Sequence, residues 1–240
     1  MKLSDYMKQE EDKYRTILPK DLPVIVRIDG SNFSRLTENL DKPYDFGFIT
    51  LMNNTAKYVI ENLSGFRFAT VQSDEINICL CPSHEKEEPF YGNNLNKIVS
   101  LTAAYASTYF SKYSKDVFKE DKLIHFDSRV FSLSKEDVVG YFIWRQKDTI
   151  RNAVQMAART YFSHKQVIGT NNDEMKEMLK SINKDFDDLP RYFRYGRSLY
   201  KVKTEEISTY DNKPYVRNKL IIDNNSPDFT TNREFISSHV

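Results

Sequence analysis

Six apolar segments follow one another as strand, helix, strand, strand, helix, strand, and this order constrains the fold more than any other feature of the chain. Val24 to Ile28 is a near-continuous apolar run, as in a strand covered on both faces. Phe46 to Leu63 carries Ile49, Met52, Ala56, Val59, Ile60 and Leu63 at helical spacing, and Ser64-Gly65 stops it. The strand Phe66 to Val71 comes next, with Ile76 to Leu80 as its hairpin partner. A polar loop, Pro82 to Asn94, leads to a second helix, Leu95 to Tyr113, and Phe126 to Leu133 is the fourth strand. The succession predicts an α+β fold whose residues 1–133 form a ferredoxin-like, split βαβ unit. In that unit the first and third strands are neighbours at the centre of the sheet.

Two acidic signatures sit at the ends of these strands. Arg27-Ile28-Asp29-Gly30 closes the first, with Ser31-Asn32-Phe33 behind it; Gln72-Ser73-Asp74-Glu75 joins the second to the third. The split βαβ order brings Asp29 and Asp74 face to face. Two carboxylates that close repel, and one is driven to hold its proton. A pair of Mg²⁺ ions relieves them, and such ions, about 3.5–4 Å apart, stabilise the attacking and leaving oxygens of a phosphoryl displacement. Glycine lets the backbone from Gly30 to Phe33 approach a triphosphate closely. Each motif also has a plainer reading. Asp-Gly is a common turn pair, and Ser73-Asp74-Glu75 between two strands fits a hairpin turn.

Beyond residue 133 the pattern changes. Lys135 to His164 reads as one or two helices, and Asn171-Asn172 opens another through Ile182. Leu199 to Lys203 and Val216 to Ile222 are candidate strands. Basic residues outnumber acidic ones from Arg151 to Lys203, and Arg191, Arg194 and Arg197 interleave with Tyr192, Phe193 and Tyr195. That stretch fits RNA-backbone contact with base stacking. It fits equally a solvated face with its aromatics packed inward. Trp144 reads as core or interface, because tryptophan mostly buries its large ring. Residues 134–223 are therefore expected to be a helical, basic elaboration packed on the first unit. The polar run 224–240 is expected to be a mobile tail.

The net charge is only +1, so any nucleic-acid surface must be a local patch. Cys79 and Cys81 share one face of a strand and lack partners for a four-ligand zinc site, which points to buried, reduced thiols and a reducing compartment. None of His84, His125, His164 and His239 has zinc-ligand spacing to another. No apolar run approaches the roughly 18–20 residues of a membrane span. The segment from Met1 to Arg15 reads as a charged amphipathic helix from Asp5 onward, without the apolar core of a signal peptide, and the cytoplasm is the expected location.

Several blocks occur in one order: Arg27-Ile28-Asp29-Gly30-Ser31-Asn32-Phe33, Lys42-Pro43-Tyr44-Asp45, Gln72-Ser73-Asp74-Glu75, Phe126-Asp127-Ser128-Arg129-Val130 and Trp144-Arg145-Gln146. Arg151-Asn152-Ala153 and Gln155-Met156-Ala157-Ala158 follow. From about Met7 to Tyr200 the chain resembles the tRNA-histidine guanylyltransferase superfamily. The resemblance implies a polymerase-type palm that adds nucleotides to tRNA 5′ ends in the 3′–5′ direction. A 5′-monophosphate is first activated with a nucleoside triphosphate, and the 3′-hydroxyl of the incoming nucleotide then attacks the activated phosphate. By this resemblance Asp29, Asp74 and the Gly30 carbonyl hold two Mg²⁺ ions, with Glu75 beside them in the catalytic group. Gly30, Ser31, Asn32, Phe33, Ser34, Lys42, Asp45, Ser73 and Lys97 fall at nucleotide-binding positions, for ATP, GTP or other triphosphates. Arg145, Arg151, Asn152, Arg191 and Arg194 are the expected tRNA contacts. Relatives usually form tetramers.

The chain also departs from the pattern. Ile150-Arg151-Asn152 stands where eukaryotic guanylyltransferases carry His-Ile-Asn, and Met175 stands where an activation-step lysine is expected. With Leu189-Pro190, this resembles the guanylyltransferase-like branch that repairs 5′-truncated tRNAs by templated addition. Guanylyl addition to histidine tRNA, a nucleotide cyclase on a similar palm, and a catalytically silent tRNA-binding palm are the alternatives.

Overall fold

The computed structural model describes residues 1–82, 87–207, 210 and 212–240; His84 lies outside them. The elements run in the order α1 (Leu3–Asp12), β1 (Val24–Gly30), α2 (Phe33–Leu36), α3 (Phe46–Glu61), β2 (Phe66–Gln72), β3 (Glu75–Leu80), α4 (Leu95–Lys112), α5 (Lys115–Phe118) and β4 (Phe126–Ser132). They continue as α6 (Lys135–Tyr161), α7 (His164–Val167), α8 (Asn172–Ser181), α9 (Arg191–Arg194), β5 (Arg197–Ile207), β6 (Pro214–Asp223) and α10 (Glu234–Ser237). The strands form one sheet in the order β4-β1-β3-β2-β5-β6, with antiparallel neighbours throughout. Its first four strands are the expected split βαβ arrangement, with β3 between β1 and β2.

Strand periodicity sorts the side chains to two faces. Val24, Val26 and Ile28 of β1 and Ile76, Ile78 and Leu80 of β3 join the core beneath α3 and α4. Phe33, Met52, Val59 and Phe110 complete it. Burying one such side chain contributes about 1.5–3 kcal/mol. On the other face Ile25, Phe68 and Cys79 meet Val138 and Phe142 of α6. A register shift between Phe66 and Phe68 sends these two residues to opposite faces, as a bulge does.

α6 is a single helix of 27 residues, about 40 Å long. Its first half covers the sheet; its second half, from Ala153 to Ala158, packs with Met175 and Leu179 of α8 and with Phe186. Ser134 caps it by accepting the Asp137 N–H. The segment after residue 133 does not stand apart, since β5 pairs with β2 and continues the sheet.

The expectation of a mobile tail from Asn224 is corrected. Phe229 and Ile236 are buried against Phe68 and Phe142. Gln146 clamps the segment, donating to the Pro227 carbonyl at 2.8 Å and accepting from the Phe229 N–H at 2.7 Å. The composition is polar, but its few aromatics fill the part of the sheet face that α6 leaves open. Cys79 and Cys81 are free thiols, and burial pushes the Cys79 thiol up to about 12. Among the described residues no helix is long and apolar enough to cross a membrane.

Candidate active site

The two acidic signatures meet at the C-terminal end of β1. The register pairs Asp29 with Glu75 of β3 on one side and with Asp127 of β4 on the other. Asp74 stands in the β2–β3 turn, where Ser73 takes a positive φ of 41°. The Gly30 N–H donates to the Asp74 carbonyl at 3.1 Å, which ties the turn to β1. Gly30 has no substitute here, since a Cβ would lie 2.3 Å from the Phe33 ring. Phe33 is anchored among Phe48, Phe110 and Phe126, with ring centroids 5.0–6.1 Å away. It fixes the turn from below, whereas Ser31, Asn32 and Ser34 are exposed along it. The Ser31 N–H donates to the His125 carbonyl at 2.9 Å.

Burial and neighbouring carboxylates raise both acids. Burial, then the neighbouring Asp29 and Glu75 carboxylates, push the Asp74 carboxyl up to about 6, against the hydrogen bond from Ser73. Asp29 is also raised, first by burial and then by Glu75, with Asp127 adding to the effect. Arg27 at 3.5 Å and Arg129 at 3.9 Å oppose the rise. Among the described residues no cluster of three or more His, Cys, Asp or Glu side chains is arranged to hold a metal. Two carboxylates and the Gly30 carbonyl are nonetheless a hard oxygen set that fits Mg²⁺, which keeps positions for water and substrate phosphate. A cation there would offset the burial and the neighbouring carboxylates that raise the two acids.

Glu75 stands apart from the open site. It is buried, its two oxygens accept Nε and Nη2 of Arg145 at 2.8 Å each, and Asn77 donates to it at 2.7 Å. Arg27 Nε lies 3.0 Å away. These partners engage both carboxylate oxygens. Glu75, expected in the catalytic group, stands here as a buried, ion-paired residue beneath Asp29. Arg145 pairs further with Asp148 at 2.7 Å, and Asp148 with Arg151 at 2.9 Å. Burial opposes the Arg145 charge, but the bonds to Glu75 and Asp148 hold its pKa above the usual value. Tyr141 completes the floor by donating to Asn77, and burial raises its hydroxyl pKa.

Other expected residues divide. Lys42 is exposed on the adjoining loop, donating to the Thr37 carbonyl at 2.7 Å. Asp45 caps α3, accepting the Phe48 N–H at 2.8 Å. Lys97 is not brought to this site. It lies on the first turn of α4, across the sheet from the Asp29 side chain, with its ammonium 5.4 Å from the Tyr91 ring centre. Ile150 and Met175, the departures from the family pattern, pack in the α6–α8 core. Arg151 and Asn152 are exposed on α6.

Three of the expected tRNA contacts are engaged within the fold. Arg145 is buried in its ion cluster. Arg191 donates to the Ser226 carbonyl at 2.9 Å, and Arg194, with little side-chain exposure, pairs with Asp187 at 2.8 Å. Tyr192 and Phe193 pack on Tyr44. The inward reading of this basic-aromatic stretch is the one the geometry bears out. Sequence reasoning left Arg27, Asp127 and Arg129 without roles. Their signal was spacing, since the i, i+2 pairs Arg27–Asp29 and Asp127–Arg129 place four charges on one face of adjacent strands.

Comparison with known proteins accounts for this arrangement. The family model for tRNA(His) guanylyltransferase, Thg1, matches residues 4–134, more than half of the chain. The chain belongs to the tRNA(His) guanylyltransferase family. Within that family it is 31% identical over 227 residues to tRNA(His) guanylyltransferase 1 of Arabidopsis thaliana, covering 86% of this chain but only 38% of the relative's length. It is 29% identical over 236 residues to a probable tRNA(His) guanylyltransferase of Dictyostelium discoideum, covering 90% of that protein. Among solved structures it superposes on a bacterial Thg1-like protein in complex with ATP at a TM-score of 0.88 and 32% identity. That match covers 100% of this chain and 99% of the other. The Saccharomyces cerevisiae enzyme shares the fold at a TM-score of 0.69 and 22% identity.

Proposed function

We propose that the chain is a 3′–5′ nucleotidyltransferase that adds nucleotides to the 5′ end of tRNA, and that its task is templated repair of truncated 5′ ends. The observation that carries this reading is the meeting of Asp29 and Asp74 across the Gly30–Asp74 backbone bond, on a palm-like antiparallel sheet. Asp29, Asp74 and the Gly30 carbonyl would hold Mg²⁺. When bound, the ions favour the ionised 3′-hydroxyl and neutralise the phosphate being displaced.

The chain's own residues do the positioning. The exposed turn from Ser31 to Ser34, together with Lys42, lies where a triphosphate would pass Gly30. Ser73 orients Asp74. Glu75, clamped by Arg145 and Arg27, keeps the end of β1 from moving as charge develops above it. Activation joins the 5′-phosphate to the α-phosphate of a triphosphate and releases pyrophosphate. The 3′-hydroxyl of the incoming nucleotide then attacks the activated 5′-phosphate, the activating nucleoside monophosphate leaves, and the 5′ end grows by one residue. ATP or GTP supplies the activation, in keeping with the ATP complex of the bacterial Thg1-like protein and the GTP complex of another such structure.

Repair is favoured over guanylyl addition to histidine tRNA by Ile150, which replaces a polar family residue with one packed in the α6–α8 core. Full-length similarity to the Thg1-like structures supports the same reading. A tRNA lacking its first nucleotide, offered each triphosphate in turn, separates the two. Repair predicts addition of whichever nucleotide pairs with the opposing acceptor-stem base. Addition of G alone, and only to histidine tRNA, would reverse the assignment.

A further inference from the structure

With Arg145, Arg191 and Arg194 turned inward, the surface that grips RNA beside the carboxylates needs another source. Trp144, the chain's single tryptophan, is 53% exposed and not in the core. One side of its ring is held: the Arg145 guanidinium carbon lies 4.5 Å from the ring centroid, and Tyr141 meets it edge-on at 5.9 Å. Both of those partners are buried, so the exposure of the indole belongs to its far side. The same guanidinium is bonded to Glu75, the register partner of Asp29, which puts the ring one side chain away from the catalytic floor.

The surroundings offer exposed guanidinium groups, each beside a carboxylate. Arg151 lies two turns along α6 on the same side as Trp144 and pairs with Asp148 at 2.9 Å. Arg129 lies on β4 near Tyr141, 3.5 Å from Asp127 and 3.9 Å from Asp29. Both are exposed, and a phosphate would compete with those carboxylates for them. Shielding Arg145 needs only an apolar cover, which a leucine would supply. A flat aromatic ring stacked on a guanidinium, open on its other face and flanked by exposed arginines, is the surface on which an unpaired base stacks while its phosphates meet cations.

Resting on the proposed function, we infer that Trp144 is a stacking platform for an unpaired nucleobase near the 5′ end of the RNA substrate, with Arg129 and Arg151 facing its flanking phosphates. The base would extend a stack already begun by guanidinium and indole, and would set the RNA end over Asp29 and Asp74.

The single tryptophan makes the test direct. Emission of the full-length protein is followed while tRNA lacking its first nucleotide is added, with binding measured separately by anisotropy of labelled RNA. Bound RNA should quench Trp144 and protect it from acrylamide. Trp144→Phe, which keeps a ring, should bind RNA close to wild type. Trp144→Leu, which keeps the apolar cover over Arg145 and loses the ring, should weaken binding about 5- to 150-fold, the range expected for one stacked base. The loss should fall on KM for RNA more than on kcat. RNA that binds and is extended while Trp144 stays fully accessible would overturn the inference and leave the function standing. Equal affinities for the Phe and Leu variants would also overturn it. So would shielding of Trp144 that depends on protein concentration without RNA, which would assign the ring to a second copy of the chain. If the RNA neither binds nor is extended, the proposed function itself falls.

Discussion

Arg145 and Arg197 are buried to nearly the same degree, 5% and 3% exposed, yet they sit on opposite faces of the sheet in opposite electrostatic settings. Arg145 lies on the α6 face, bonded twice to Glu75 and once to Asp148, and its pKa is raised. Arg197 lies on the α3 face, where its Nε donates to the Asn53 side chain at 2.9 Å and its Nη2 has no hydrogen-bond partner among the described residues. Burial alone lowers its pKa to about 9. One face carries a charged network that supports the candidate site. The other is a packing core that tolerates one cation. Nothing in the local sequence distinguishes these fates, because burial is common to both and the partners decide.

The comparison can be broken most severely at Glu75. Glu75→Gln leaves Arg145 and Arg27 beside a neutral group and should destabilise the fold by about 3–5 kcal/mol, as loss of one partner of a buried pair does. Chemical denaturation reads this directly; a loss within about 0.5 kcal/mol would mean that the network carries no load. Next come the two arginines themselves. Arg145→Met should cost several kcal/mol, since it strands Glu75. Arg197→Met should cost no more than about 1 kcal/mol or stabilise, because it replaces an uncompensated buried charge with an apolar chain of similar length. Equal losses in the two variants would erase the distinction between the faces.

The smallest expected effect is on pH. Folding raises the Asp74 carboxyl from 3.8 to about 6, so the folded state binds this proton more tightly than the unfolded chain. Its stabilising contribution is complete below about pH 3.8 and is lost as pH rises through about 6. In Mg²⁺-free buffer Asp74→Asn should remove that part of the pH dependence between pH 4 and 7. Bound Mg²⁺ competes with the proton, so stabilisation by Mg²⁺ should be weaker at pH 5.5 than at pH 7.5. A variant whose stability curve parallels wild type across this window would remove Asp74 as its source.

The sequence made the positions of Asp29 and Asp74 legible because both depend on local patterns. Period-two strands, a helix stopped by Ser64-Gly65 and a two-residue turn suffice to order β1, β2 and β3. The fate of Glu75 was not legible, since its partner Arg145 lies 70 residues away on a helix whose docking angle no local signal sets. The Arg191–Arg197 stretch turned on the Ser226 carbonyl, Asp187 and Asn53, each supplied by a different segment. The tail read as mobile because Phe229 and Ile236 are isolated among polar residues, and only the gap beside α6 on the sheet face gives them a place. Trp144 ran the other way: of the two readings, core or interface, its half exposure excludes the core.

Asp29 and Asp74 are proposed together to support growth of an RNA chain at its 5′ end. Single-turnover extension of a 5′-labelled, 5′-truncated tRNA with Mg²⁺ and triphosphates, compared among wild type, Asp29→Asn and Asp74→Asn, tests it most directly. The account predicts a product one nucleotide longer for wild type and a loss of at least about a thousandfold in either variant, since metal stabilisation of the transition state is worth several kcal/mol. Both variants should still bind the tRNA. Extension by either variant at near wild-type rate, or growth of the RNA at its 3′ end instead, would contradict it.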